Sequence, residues 1–103
     1  DQPRSRGLGD VYKRQILMMI LPDCPHCRRA RALLDELRSE NPAYAAVPLQ
    51  IEDERRNRAL ADALDYWYVP CCFVGGKKIH EGVPSREAMR AVLDAALAGE
   101  TKG

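Results

Sequence analysis

Ile16-Leu17-Met18-Met19-Ile20-Leu21-Pro22-Asp23-Cys24-Pro25-His26-Cys27 decides how this chain folds and which chemistry it carries. The apolar run from Ile16 to Leu21 is far shorter than the roughly 20 residues of a membrane span. It suits a strand buried on both faces. A Pro-Asp turn follows, then two cysteines in Cys-x-x-Cys spacing. Beyond them Ala30, Leu33, Leu34 and Leu37 recur as one face of a helix, with Arg28, Arg29, Arg31, Asp35 and Arg38 on the other side. Cys24 therefore falls at a helix N-terminus, where unpaired N–H groups and the helix dipole favour a thiolate. Cys27, on the first turn, is placed to close a disulfide with it. A thiolate is the form that attacks disulfides, so the motif points to redox exchange.

Length and composition fit that reading. The 103 residues allow one small domain, and 46% hydrophobic content supplies a core. A net charge of +1 creates no field that would draw nucleic acid or an anionic membrane, and neither is expected as a partner. Cys24 and Cys27 form one pair, Cys71-Cys72 another, and none is set apart to staple distant loops. A secreted disulfide scaffold is therefore not expected, and a cytoplasmic monomer is.

Residues 1–15 look unlike the rest. They mix Arg4, Arg6, Lys13 and Arg14 with Pro3, Gly7 and Gly9, without hydrophobic period. Ser5 to Gln15 also resembles translated adapter sequence, the alternative being a genuine flexible basic tail; either reading makes 1–15 a non-core tail. The domain is expected over 16–98, with 99–103 a second tail.

After the first helix, which Asn41-Pro42 ends, Val47, Leu49 and Ile51 alternate with Pro48 and Gln50 as a second strand, and Pro48 favours a sheet edge. Leu60, Ala63, Leu64 and Trp67 form a second helical stripe. Cys71 to Val74, Gly75-Gly76 and Lys77 to Glu81 read as a hairpin. Ser85 then caps a third helix with Met89, Val92, Leu93, Ala96 and Leu97 inward and Gly99 as its stop. The order β-α-β-α-β-β-α gives an α/β domain, with a mixed four-stranded sheet flanked by three helices.

Cys24-Pro25-His26-Cys27 after the first strand, Val69-Pro70 entering the third, and Gly75-Gly76 in the next turn resemble the thioredoxin superfamily. The likeness is to its short glutaredoxin-type members more than to full-length thioredoxins, and it covers Ile16 to about Leu97. It implies the thioredoxin fold and a thiol–disulfide oxidoreductase acting on protein disulfides, re-reduced by a protein or by glutathione. Beyond the Cys24–Cys27 disulfide itself no cofactor is implied. Glutaredoxins carry Gly-Gly-x-Asp after the fourth strand to hold glutathione. This chain has Gly82-Val83-Pro84-Ser85 there, which weighs against glutathione. Thioredoxins carry Trp before the first cysteine and a buried Asp in the first strand, where this chain has Asp23 and Met18.

In this reading Cys24 is the nucleophile and Cys27 the resolving thiol. Pro25 suits the first helical position, and His26 tunes Cys24. The same Pro-His insert stands in strongly oxidising periplasmic members of the superfamily. Asp23 opposes that effect weakly. Pro70 resembles the superfamily's cis-proline, which would leave the Val69 backbone open to pair with an extended substrate segment. Cys71 and Cys72 face opposite sides of a strand, as small buried hydrophobes or as extra redox thiols. Tyr66, Trp67 and Tyr68 either edge a substrate groove or, for Trp67, pack in the core. Arg28, Arg29, His80 and Glu81 read as surface residues. Two alternatives remain beside protein disulfide exchange. One is a glutathione-dependent glutaredoxin. The other is a zinc or iron–sulfur module using Cys24, Cys27 and either Cys71 or Cys72.

Overall fold

The structure is a computed structural model that describes residues 15–98. Of the expected tails only Gln15 is described, its side-chain amide donating to Gln50 Oε1 at 2.6 Å; the remainder and the Gly99 helix stop lie outside the described residues. The elements are β1 (Ile16–Ile20), α1 (Pro25–Glu40), α2 (Pro42–Ala45), β2 (Leu49–Asp53), α3 (Arg58–Ala63), β3 (Cys71–Val74), β4 (Lys77–Glu81) and α4 (Arg86–Ala98). Strand order in the four-stranded sheet is β2-β1-β3-β4. β1 runs parallel to β2 and antiparallel to β3, and β3 is antiparallel to β4. Pro48 precedes an edge strand, as its missing N–H requires. No described helix is long and apolar enough to cross a membrane.

The apolar run of β1 is explained by its central place. Ile16, Met18 and Ile20 face one side with Cys72 and Val74, against Leu33, Leu34 and Leu37 of α1 and Met89, Val92, Leu93 and Ala96 of α4. Met19 faces the other with Cys71 and Phe73, covered by Leu60, Ala61, Leu64 and Tyr66. The alternation is the ordinary two-residue period of a strand. Ser85 begins α4 as expected, its hydroxyl accepting the Ala88 N–H at 3.0 Å.

Three expectations need correction. Four helical segments stand among the described residues where three were expected, because Asn41 Oδ1 accepts the Ala43 N–H at 2.9 Å and Pro42 opens a further single turn, α2. Arg38 does not lie on the solvated face of α1. It reaches under that turn to the carbonyls of Ala45 and Val47 at 2.9 and 3.1 Å. The second helical stripe stops at Ala63, so Trp67 leaves the helix and is 83% exposed rather than buried.

The β3–β4 hairpin turns on Gly75 and Gly76, both at positive φ as a two-residue turn of this kind demands. It then carries a bulge. Cys72 pairs with His80 but Phe73 pairs with Lys78, leaving Ile79 as one residue too many in β4. The extra residue reverses the alternation of faces. Lys78 and Glu81, three apart, therefore point to the same side of the sheet, and their side chains meet at 2.8 Å.

Candidate active site

Cys24 is the N-cap of α1, with extended φ −85° and ψ 118° and Pro25 at the first helical position. Its sulfur accepts the Cys27 N–H at 3.3 Å, one of the donors a helix start leaves without a backbone partner. The turn is closed by the Cys24 N–H on the Leu21 carbonyl and the Arg28 N–H on the Cys24 carbonyl, each at 3.2 Å. Cys24 is half-buried, and Cys27 beneath it is 1% exposed. Both are free thiols. Burial pushes the Cys27 thiol up to about 12, the Leu21 amide pulling the other way and the Cys24 sulfur and Glu54 carboxylate adding to the rise. His26 is exposed on the first turn. Arg55 Nη1 stands 4.0 Å from Asp23 Oδ2, an exposed pair that offsets the acidic charge beside the motif.

Val69 and Pro70 lie across from this helix start, joined by a cis peptide bond. The Cys24 thiol points at the Val69 carbonyl oxygen, 3.9 Å away. The Val69 N–H has no partner among the described residues. Pro70 is buried, and its carbonyl accepts the Gly82 N–H at 2.9 Å, tying the segment to the end of β4.

The structure brings Cys24, Cys27, Val69 and Pro70 together and sorts the remaining cysteines by face. Cys72 shares the apolar cluster of Cys27, whereas Cys71 lies on the opposite side of the sheet with Met19 and Phe73. Both are fully buried, and burial pushes each thiol up to about 12. Among the described residues no three His, Cys, Asp or Glu side chains converge so as to hold a metal ion.

Tyr66 turns inward, its ring edge-on to Phe73 at 6.1 Å and its hydroxyl donating to Glu54 Oε1 at 2.7 Å. Trp67 and Tyr68 turn outward. Their backbone N–H groups both donate to Glu81 Oε2, the Tyr68 bond at 2.8 Å. Lys78 Nζ pairs with Glu81 Oε1 and reaches the Asp65 carbonyl at 3.2 Å. Lys78 and the two amides hold the Glu81 carboxyl down near 2. Glu81 thus anchors the Trp67-Tyr68 segment beside the site without touching the reacting thiols, although a strand of regular alternation would set it and Lys78 on opposite faces. The bulge that aligns them has no local sequence signal.

Comparison with known proteins bears on family and fold. The glutaredoxin family model matches residues 11–79. Glutaredoxin-C4, chloroplastic, of Oryza sativa subsp. japonica is 41% identical over 58 residues, 54% of this chain and 41% of that protein. The chain thus spans less than half the length of the curated relative it matches. A mutant thioredoxin from Halobacterium salinarum superposes with a TM-score of 0.62 at 19% identity, over 91% of this chain and 86% of its own. A protein disulfide oxidoreductase from Aeropyrum pernix superposes with a TM-score of 0.60 at 25% identity, over 88% of this chain and 41% of its own. The expected fold is the observed one.

Proposed function

Since the chain belongs to the glutaredoxin family and has the thioredoxin fold, we propose that it exchanges disulfides with protein substrates through Cys24 and Cys27. The observation that carries the reading is the difference between the two sulfurs. Cys24 caps a helix and meets solvent, while Cys27 is buried one turn below and keeps its proton. The Cys24 thiolate attacks one sulfur of a substrate disulfide, whose S–S bond breaks as the Cys24–substrate bond forms. The departing substrate thiolate takes a proton. Cys27 then gives up its proton and attacks Cys24, releasing the second substrate thiol. The substrate gains two electrons, and the enzyme is left with a Cys24–Cys27 disulfide that a thiol reductant must reopen.

Val69 gives an extended substrate its backbone partner, an N–H and a carbonyl beside the reacting sulfur. Protein substrates are favoured over glutathione because the segment 82–85 carries no carboxylate and exposes Val83, while the Ser85 hydroxyl is engaged in capping α4. Cysteines placed in no long-range staple suit a reducing compartment such as the cytosol.

Insulin reduction driven by dithiothreitol tests the reading. Cys24→Ser should abolish the protein's contribution, and Cys27→Ser should accumulate a stable mixed disulfide. Full activity in Cys24→Ser would overturn the proposal.

A further inference from the structure

The segment between α3 and Pro70 displays apolar side chains to water beside the reactive thiol. Trp67 is 83% exposed, Tyr68 70% and Val83 69%, and these are the exposed large hydrophobic residues among those described. They are neighbours. The position a Cβ would take on Gly82 lies 3.9 Å from Tyr68 Cβ, and the Gly82 N–H is bound to Pro70. The patch therefore borders Val69-Pro70, and Val69 in turn faces Cys24. Neither Trp67 nor Tyr68 joins the two apolar clusters of the described residues. What fixes them is Glu81, whose Oε2 takes both backbone N–H groups, while Lys78 takes the Asp65 carbonyl. With main-chain donors anchored to the sheet, the indole and phenol rings are turned outward.

We propose that Glu81, paired with Lys78, is a positioning residue that sets Trp67 and Tyr68, together with Val83, as an apolar platform for an extended protein segment carrying a bulky apolar side chain next to its cysteine. The proposal rests on the disulfide-exchange reading and names its substrate class. Its argument for the occupant is continuity: a chain laid along the Val69 backbone delivers its sulfur to Cys24 and its neighbouring side chain to the platform. Apolar surface of this kind gains by being covered, and aromatic residues with few rotatable bonds lose little freedom when it is. Glu81 stays ionised at every working pH, because its carboxyl is held near 2 by Lys78 and the two amides. The anchorage therefore does not titrate with the thiols.

The test is a set of single-turnover reactions of the pre-reduced protein with three disulfides. One is hydroxyethyl disulfide. The other two are peptides joined through cysteine to 2-mercaptoethanol, with Leu or Ser flanking that cysteine. Wild type should react with the Leu peptide about tenfold faster than with the Ser peptide, the low end of what an apolar contact discriminates. Glu81→Ala and Trp67→Ala should bring that ratio toward one while the hydroxyethyl disulfide rate stays within about twofold of wild type. Glu81→Gln, whose amide oxygen can still accept both N–H groups, should keep most of the preference. Trp67→Ala alters an exposed side chain, so the result does not depend on Glu81 variants folding. A ratio near one in wild type, or an unchanged ratio in both alanine variants, overturns this inference alone. A wild-type protein inert toward hydroxyethyl disulfide overturns the disulfide-exchange reading as well.

Discussion

The Val69 carbonyl oxygen faces the Cys24 sulfur at 3.9 Å across 45 residues of chain. The helix start and the cis-proline segment thus face each other, and a chain laid along Val69 meets a single accessible thiol.

Alkylation should show that selectivity. Cys27, Cys71 and Cys72 are each no more than 1% exposed, and Cys24 is half-buried. Iodoacetamide at neutral pH should label Cys24 rapidly in the native reduced protein and the other three only on unfolding. Mass spectrometry counts the adducts, and two labels added at equal rates would refute the arrangement.

Stability of the reduced protein should fall in alkali. Burial raises Cys27, Cys71 and Cys72 from an ordinary 9.0 to about 12 in the folded state. Between these values the unfolded chain has lost protons that the folded chain keeps. The contribution is therefore full below pH 9 and is lost progressively as pH rises toward 12. Urea unfolding from pH 7 upward reads the slope, which should be shallower once Cys24 and Cys27 are oxidised. A flat profile above pH 9 would contradict this account.

Arg38→Ala should cost about 1–2 kcal/mol, because a half-buried guanidinium bonded to two carbonyls is lost and those acceptors are left to water. In a domain of this size that lowers Tm by roughly 4–16 °C. Insulin reduction by the folded variant should be unchanged, since α2 lies away from the cysteine motif. Equal losses in Tm and in turnover below Tm would count against that separation.

Cys71→Ala and Cys72→Ala should leave turnover intact. Their sulfurs lie on opposite faces of β3 among apolar side chains and hold their protons to about 12. Mild oxidation of wild type should yield one disulfide, Cys24–Cys27. A second disulfide in the peptide map would show that Cys71 or Cys72 takes part in the redox cycle.

The features legible in the sequence are those set by local chemistry. Pro25 after Cys24 announces a helix start, Gly75-Gly76 a two-residue turn, and Ser85 a cap, because each acts within a few residues. The Asn41-Pro42 signal was also present. It read only as the end of α1, since a single turn is too short to show a hydrophobic period. The helical spacing that includes Trp67 misleads for a different reason. The residues after α3 are held by partners 13 and 14 positions downstream of them, Lys78 on the Asp65 carbonyl and Glu81 on the Trp67 and Tyr68 N–H groups. Spacing along α3 carries no trace of these partners.

The irregularity at Ile79 makes that anchorage a matter of counting as much as of chemistry. Remove one residue from the strand while keeping both charged partners, and one of them would be rotated beneath α4, among methyl groups where an ion cannot rest. A natural relative with a hairpin one residue shorter would then need a different way to hold its aromatic rim, whatever else it shared with this chain.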